Sequence, residues 1–239
     1  MNSIILKHRF KAMLIYTFLI FVSFSCSQQN TGEYVVTRTD DKITIDGVFS
    51  EKDWNSANAI SGFVYPWNPD KAQPITFRAL HDGKFLYLSY QMVDDVIIAS
   101  DSISGEQDLI EQDRVEIYLA PDRTMRDYYC IEMDVKGRKL DYRGKFHRQF
   151  DFSWEFDDVE HKGTYTDDGY QVEAAISLES LEALGIIKDY AFYTGVYRAD
   201  FHYGQDSSVV HVYASWLDPQ VDEPDFHVPA SLGVFQLGR

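Results

Sequence analysis

The chain has 239 residues, of which 45% are hydrophobic, so it is long enough for a leader segment and one domain with a substantial core. Its 38 acidic side chains outnumber the 22 basic ones, which gives a formal net charge of −16. A surface of this sign repels phosphate backbones and therefore argues against nucleic acid as a partner. No Ser-, Gly- or Pro-rich linker and no internal repeat divides the sequence, which favours a single domain.

The first residues have the features of a secretory leader. Three basic residues precede an apolar run over 12–24, which is shorter than the roughly 20 residues of a membrane-spanning helix. The run ends in the sequence S-F-S-C at Cys26, which resembles the lipobox of bacterial lipoproteins. We therefore predict a signal peptide over 1–25, lipidation of Cys26 and a flexible tether over 26–32. The alternative is an ordinary secreted protein with an incidental cysteine at this place.

The predicted location follows from that anchor. A lipid on Cys26 would hold the protein in the bacterial cell envelope. The acidic run that often follows the cysteine of surface-exported lipoproteins is absent at 27–30, so we predict an outer-membrane location that faces the periplasm. Cys130 then has no internal partner, and we expect a buried thiol there rather than a disulfide.

A sharp strand-to-helix turn follows at residues 43–57. The β-branched stretch 43–45 favours a strand, and Asp46-Gly47 is a turn signal because Gly tolerates positive φ. Ser50 is a suitable N-cap for a short helix, on which Trp54 and Ala57 share one face. We predict that Trp54 anchors this turn in the core.

Short segments with β-type patterns, separated by turn signals, continue to the end of the chain. They cover 34–38, 42–46, 74–80, 85–93, 114–119, 128–135, 139–143, 150–156, 163–166, 170–176, 191–201, 209–217 and 232–237. Only 178–184 has a helical pattern, with Ser177 as its cap and Gly185 as its stop. This pattern predicts an all-β domain over 33–239, built as an antiparallel two-sheet β-sandwich of jelly-roll type with one or two short helices.

Four blocks of sequence resemble carbohydrate-binding module family 9 in the expected order. The first is I-D-G-x-x-x-E-x-x-W at 45–54, and the second is D-R-V-E-I-Y-L at 113–119. The third is G-Y-Q-V-E-A-A-I-S at 169–177. The fourth combines S-W-L-D-P at 215–219 with P-D-F-H-V-P at 224–229. The resemblance implies a sugar-binding sandwich that works beside polysaccharide-degrading enzymes.

A sugar site needs flat aromatic surface for the C–H face of the ring and fixed polar groups for its hydroxyls. Trp216 matches the closing Trp of the resembled family, and Trp67 lies beside Tyr65 in a Pro-rich loop. Arg198 lies where family members often place an Arg that can bond vicinal hydroxyls. We predict these four residues as the carbohydrate site. A core position for Trp216 and a salt bridge from Arg198 to Asp200 are the alternatives.

The segment between Asp94 and Asp113 raises two further points. It contains no aromatic residue between 100 and 113, so the first ring of the family's two-ring sugar clamp is not assigned. It is also rich in carboxylates, which suit Ca²⁺, and the resembled family includes calcium-binding members. We predict Asp94, Asp95 and Asp113 as calcium ligands, with a solvated acidic loop as the alternative.

No catalytic motif is found. The sequence has no H-E-x-x-H and no G-x-S-x-G, and it does not nominate a pair of glycosidase carboxylates. The sequence therefore predicts a non-catalytic lipoprotein that holds a glycan or its terminus near glycoside hydrolases and assists polysaccharide use. One alternative is a haem-binding electron-transfer domain with ligands among Met92, Met133, His202 and His211. Another is a scaffold that has lost its ligand site.

Overall fold

The structure is a computed structural model, and it describes residues 32–204, 206 and 208–239. Within these residues the strands are β1 (Glu33–Arg38), β2 (Ala59–Ile60), β3 (Ile75–His81), β4 (Phe85–Val93), β5 (Arg114–Ala120), β6 (Tyr128–Asp134), β7 (Lys139–Lys145), β8 (Gln149–Asp151), β9 (Val159–Thr166), β10 (Gly169–Ser177), β11 (Ala191–Tyr203), β12 (Val209–Ser215) and β13 (Gly233–Leu237). The α-helix α1 covers Leu178–Ala183, and 3₁₀ turns cover Lys52–Asn55, Pro69–Lys71, Glu106–Glu111 and Pro229–Ser231.

The strands form one continuous mixed sheet that curls into a half-barrel. Its order is β8-β7-β6-β5-β11-β13-β1-β3-β4-β10-β9, with β12 beside β11 and β2 beside β3. β1 runs parallel to β13 through residues 33–36 and parallel to β3 through Thr37 and Arg38. The all-β prediction is confirmed. The prediction of an antiparallel, two-sheet jelly roll is not confirmed, because β1 pairs with both halves and joins them into one sheet.

The main core lies inside the curl of the sheet. β5 contributes Val115, Ile117 and Leu119 to it, and β4 contributes Leu88 and Tyr90 from the other half. Alternate residues of a strand point to opposite faces, so the residues between these apolar positions must face away from the core. On β5 those residues are buried as well, because a second cluster of mainly aromatic side chains covers that face.

The turn at Asp46-Gly47 and its anchor Trp54 fold as predicted, but the predicted strand over 42–46 and the predicted helix cap are wrong. Residues 42–46 pair with no neighbouring strand among the described residues, and the backbone N–H of Thr44 bonds Oε1 of Glu51 instead. Trp54 is buried in a small cluster against Leu80 and Tyr87. Gly47 has a φ of 82°. The helical turn begins after Glu51 rather than Ser50, and Glu51 makes no side-chain cap bond.

Three further local predictions have definite outcomes. The side chain of Ser177 accepts a hydrogen bond from the backbone N–H of Ser180, which caps α1 as predicted. Cys130 is buried with a free thiol. The prediction of a long strand over 150–156 is wrong, because β8 ends at Asp151 and Phe152 is exposed.

No helix of the described residues is long and apolar enough to cross a membrane.

Candidate functional site

A pocket of about 290 Å³ opens on the face of β5, β6 and β7 that points away from the main core. This volume is at the lower end of the range for small-ligand sites. Its floor is polar and consists of Arg114, Glu116, Tyr118, Glu132, Tyr142 and His227. Its walls are largely aromatic and include Trp67, Phe150, Phe152, Tyr213 and Phe226.

Strand pairing brings the charged residues of the floor together. Glu116 of β5 lies directly opposite Glu132 of β6, so their side chains share one face of the sheet. Arg114, two residues before Glu116, points to the same face. The nearby 3₁₀ turn Glu106–Glu111 places Ile110 at the edge of the pocket, where its carbonyl accepts a 2.9 Å hydrogen bond from Nη1 of Arg114.

Arg114 bridges the two buried carboxylates. Its Nε donates to Oε2 of Glu132 at 2.5 Å, and its Nη2 lies 3.0 Å from Oε1 of Glu116. Burial lowers the pKa of Arg114, but the charges of Glu132 and Glu116 outweigh that effect and raise it. Burial, with repulsion from Glu132, raises the pKa of Glu116 to about 8. One guanidinium therefore serves two neighbouring carboxyl groups.

A chain of hydrogen bonds fixes His227 beneath the pocket. Its Nδ1 lies 3.0 Å from the hydroxyl of Tyr128, and its Nε2 lies 3.1 Å from the hydroxyl of Tyr118. Burial lowers the pKa of His227 to about 3, so the ring is neutral. Because Tyr118 donates to Oε2 of Glu116, we assign the proton to Nε2 of His227 and the acceptor role to Nδ1.

The aromatic walls offer ring surface that is only partly covered. Trp67 is half-buried, and its ring packs against Phe226 at 5.7 Å and Tyr213 at 6.2 Å. Its Nε1 donates to the carbonyl of Val221 at 3.1 Å, which fixes the orientation of the indole. Across the pocket, Phe150 packs edge-on against Tyr142. Such surfaces can cover the C–H face of a sugar ring.

An ion-paired bridge joins two loops at the rim. Asp225 accepts hydrogen bonds from His147 and Arg148, each at 2.9 Å, and from the backbone N–H of His227 at 2.8 Å. The bridge connects the loop before β8 with the loop that carries Phe226. The bridge therefore fixes the positions of these two loops relative to each other.

Of the four predicted carbohydrate residues, the structure places only Trp67 in the pocket. Trp216 is 2% exposed and packs against Phe235 in the main core, so its ring has no free face. Tyr65 is buried, and its hydroxyl donates to the carbonyl of Gln73. Arg198 is fully buried, on the face of β11 opposite that of Tyr197. The predicted roles of Trp216, Tyr65 and Arg198 are corrected accordingly.

Sequence reasoning missed the floor, although its signal was present. D-R-V-E-I-Y-L alternates apolar residues with Arg114, Glu116 and Tyr118, and such alternation predicts two faces of different character. The closing block P-D-F-H-V-P supplies Phe226 and His227. Both blocks identify the family, but the local pattern alone does not show that their polar side chains meet in one pocket.

The predicted calcium ligands come together only in part. Carboxylate oxygens of Asp94, Asp113 and Asp200 lie within 4.8 Å of one another. Asp95 is exposed and instead accepts a hydrogen bond from Gln73. Nη2 of Arg198 lies 2.7 Å from Oδ2 of Asp94 and 3.1 Å from Oδ1 of Asp200, so a cation already lies among these acids.

The remaining carboxylate of this cluster is also engaged. Asp113 accepts backbone N–H bonds from Ile98 at 2.6 Å and Phe201 at 2.7 Å. Burial raises its pKa to about 8, and the charges of Asp200 and Asp94 add to that effect. Ca²⁺ needs six to eight oxygen ligands, and this cluster does not fit it because the carboxylates already bind a guanidinium and backbone amides.

The residues considered for haem ligation are not brought together around a cavity. Met92 and Met133 are fully buried in the main core. Nε2 of His202 lies 3.0 Å from Oδ2 of Asp200. Only His211 lines the pocket.

An all-β half-barrel with an aromatic-walled pocket on one face of its sheet is the architecture of a small-ligand-binding module. A family model described as carbohydrate family 9 binding domain-like matches residues 45–238, and the chain belongs to this family. No curated protein matches the chain.

Three solved structures share the fold. One, from Bacteroides uniformis ATCC 8492 and named for an inferred carbohydrate-binding role, has a TM-score of 0.67 at 17% identity, covering 86% of this chain and 99% of that one. A family 9 module from Caldicellulosiruptor kristjanssonii in complex with glucose has a TM-score of 0.55 at 20% identity, covering 86% and 95%. The module from the same organism in complex with cellotriose also has a TM-score of 0.55 at 20% identity, covering 87% and 94%.

Proposed function

We propose that this domain binds a glycan, or its terminus, in the pocket on β5, β6 and β7 and does not cleave it. The observation that carries the proposal is the combination of half-covered aromatic walls with a polar floor. Trp67 and Phe226 can contact the C–H face of a sugar, while the carboxyl groups of Glu116 and Glu132 can form hydrogen bonds with its hydroxyls. The family assignment and the glucose and cellotriose complexes of similar modules support this reading.

The arrangement of the floor supports binding rather than hydrolysis. A glycosidase uses two carboxyl groups in different roles, one as a general acid and one as a base or nucleophile. Here Glu116 and Glu132 are both held by Arg114, and each also accepts a hydrogen bond from a Tyr hydroxyl. These partners hold both carboxyl groups in fixed positions in the floor of the pocket.

Trp67 provides the direct test of this site. Trp67→Ala removes one wall of the pocket, and we expect glycan affinity to fall about tenfold or more, which corresponds to about 1.4 kcal/mol. Glycan-array screening followed by titration calorimetry with the sugars retained would measure it. Tyr165→Ala is the matched control, because this ring is 53% exposed on β9, outside the pocket.

Two results would count against the proposal. Equal weakening by both variants would mean that the pocket is not the binding site. Release of products from the same glycan panel would contradict the non-catalytic reading.

We further propose that the domain is a lipoprotein of the bacterial outer membrane, held by Cys26, facing the periplasm and acting beside glycoside hydrolases. Cys26 and the predicted signal peptide over 1–25 lie outside the described residues. The support is the S-F-S-C sequence after an apolar run. Mass spectrometry of membrane-extracted protein should find a lipid on Cys26, and an unmodified Cys26 in that fraction would contradict the anchor.

A further inference from the structure

The two buried carboxyl groups of the pocket floor share a single cation. Strand register places Glu116 of β5 directly opposite Glu132 of β6, where two like charges repel each other. Nη2 of Arg114 lies 3.0 Å from Oε1 of Glu116, and its Nε donates to Oε2 of Glu132 at 2.5 Å. Its Nη1 donates to the uncharged carbonyls of Ile110 and Gln112. If both carboxyl groups were ionised, one buried negative charge would lack a counter-charge.

The other guanidinium of the described pocket lining pairs with a different acid. Arg148 forms an ion pair with Asp225 at the rim. The ring of His227 is neutral, because burial lowers its pKa to about 3. A proton on one of the two floor carboxyl groups therefore supplies the missing compensation. Burial and repulsion from Glu132 act in this direction, since they raise the pKa of Glu116 to about 8.

A proton on Glu116 has a free position that faces the pocket. Oε1 of Glu116 faces Nη2 of Arg114, and Oε2 accepts the hydroxyl of Tyr118 at 3.2 Å. Both contacts come from donors, so a proton on either oxygen occupies the position that is left and points away from them. Glu116 lines the pocket, so this O–H can donate to a sugar oxygen. An ionised carboxylate only accepts hydrogen bonds.

From this geometry we propose that Glu116 binds the glycan as a neutral carboxyl group, donating a hydrogen bond to a sugar oxygen while Glu132 stays ionised against Arg114. The inference rests on the proposed glycan function and adds to it that binding is linked to a proton. Ionisation of Glu116 removes the hydrogen that it donates and adds negative charge to the floor. The glycan therefore binds the protonated form and holds the proton on Glu116.

The groups that face Glu116 define the pH range in which this linkage is measured. Burial raises the pKa values of Tyr118 and Tyr142 well above the usual value, so both hydroxyls stay protonated at mildly alkaline pH. The titratable and charged groups around this carboxyl are Arg114 and Tyr118 on β5, Tyr128, Cys130 and Glu132 on β6, Tyr142 on β7, Tyr197 on β11, His211 and Tyr213 on β12, Glu111 in the 3₁₀ turn, Arg148 before β8, and Asp225 and His227 in the closing block.

The pH dependence of glycan affinity tests the proposal. We would titrate the full protein by calorimetry with cellotriose, which has no group that titrates near neutral pH, and with the glycan that binds most tightly on the array. If only the protonated form binds, the Kd should rise about tenfold between about pH 7 and about pH 9. Circular dichroism at both pH values would verify that the protein is folded.

The two ways in which this experiment can fail are distinguishable. A glycan that binds with the same Kd over the whole range would overturn the inference and leave the proposed function intact. Absence of binding by cellotriose and by every glycan of the array, at either pH, would contradict the proposed function and the inference with it.

Proton uptake is a second readout, one that a purely structural role of Glu116 would not produce. Calorimetry in two buffers of different ionisation enthalpy measures the protons taken up on binding. At about pH 9 we expect roughly one proton per bound glycan, and at about pH 7 almost none. Binding without proton uptake at about pH 9 would overturn the inference.

Three variants assign the proton to its residue. In Glu116→Gln the titrating group is gone, so the ratio of the Kd at about pH 9 to that at about pH 7 should fall to about one, whatever the affinity itself. Glu132→Gln removes the repulsion on Glu116, so the rise in Kd should begin at lower pH. Asp113→Asn is the matched control, because Asp113 also has a pKa raised to about 8 but lies outside the pocket lining.

The control should keep the tenfold ratio of the unaltered protein. A tenfold ratio in Glu116→Gln, or its loss in Asp113→Asn, would overturn the assignment to Glu116. If the variants do not fold, the proton uptake of the unaltered protein still decides the proposal.

Discussion

At the scale of single residues, one buried carboxyl group, that of Glu173, holds the backbone of the Asp46-Gly47 turn. Glu173 on β10 is fully buried, and its Oε2 accepts the backbone N–H groups of Asp46 at 3.2 Å and Gly47 at 2.8 Å. A side chain at position 47 would meet Oγ1 of Thr164 at 2.5 Å, and its φ is one that L-residues rarely adopt. The turn thus needs Gly both for its conformation and for close approach to its neighbours.

Glu173 should make stability depend on pH. Burial raises its pKa to about 7, with repulsion from Glu51 and Asp46 adding to the effect. Because the folded pKa lies above the unfolded value of 4.5, the contribution is greatest below pH 4.5 and is lost as pH rises to about 7. In the unaltered protein the free energy of unfolding should fall as the pH rises from 4.5 to about 7. In Glu173→Gln that fall should be smaller by roughly 3 kcal/mol, because the titrating group has been removed.

Denaturant titrations from pH 4.5 to 7 would measure this difference. Glu179→Gln is the control, since this carboxylate lies exposed in the first turn of α1. If Glu173→Gln kept the same pH slope as the unaltered protein, the carboxyl group would not be the source of the effect.

At the scale of elements, the two faces of a strand enter different environments. β5 sends Val115 and Ile117 into the main core and Arg114 and Glu116 into the pocket floor. β11 behaves in the same way, with Tyr197 in the aromatic cluster under the pocket and Arg198 on the other face. Both faces of each strand are covered, one by the main core and the other by the aromatic cluster. Charged residues on them are tolerated only in paired form.

Arg198 shows this requirement most sharply. Arg198→Met would leave Asp94 and Asp200 buried without their counter-charge, and we expect a loss of about 3–5 kcal/mol in the free energy of unfolding. Arg148→Met removes a half-exposed ion pair at the rim and should cost less than about 1 kcal/mol. Chemical denaturation of both variants would measure the difference.

The calcium response is an independent check on Arg198. If this residue is the cation of the acidic cluster, the unaltered protein should melt at the same temperature in calcium and in chelator. A melting temperature raised by calcium would contradict this view. So would equal stability losses in Arg198→Met and Arg148→Met.

At the scale of the whole molecule, β1 makes the half-barrel one unit. Its first residues pair with β13 and its last two with β3, so the strand connects the half that carries the pocket to the half that carries β10. Val36 is fully buried in the core, while the adjacent Val35 is 50% exposed. The pocket therefore depends on a strand that contributes none of its lining residues.

These two neighbouring valines provide a matched test of that role. Val36→Ala should lower the free energy of unfolding by about 2 kcal/mol, and Val35→Ala should change it by less than about 0.5 kcal/mol. Both substitutions carry the same loss of strand propensity, so the difference reports burial. Circular dichroism and tryptophan fluorescence should follow a single coincident transition in both variants. Separate transitions would mean that the two halves unfold independently.

The sequence by itself determined the features that depend on neighbouring residues in the chain. Alternation predicted the strand around Ile117, Asp46-Gly47 marked a sharp turn, and Ser177 marked the start of α1. Motif order predicted the family. Turn geometry, capping and strand alternation are set within a few residues, so one sequence is enough to read them.

Only the tertiary structure decided which side chains form the site. Trp67 and Trp216 look equivalent in the sequence, but Trp216 packs into the core while Trp67 keeps part of its surface open. Glu116 and Glu132 meet only because β5 and β6 pair in one register. β1 joins both halves through partners far away in the chain. The burial of a side chain is set by whatever covers its face of the sheet, and that cover comes from distant segments that no local pattern encodes.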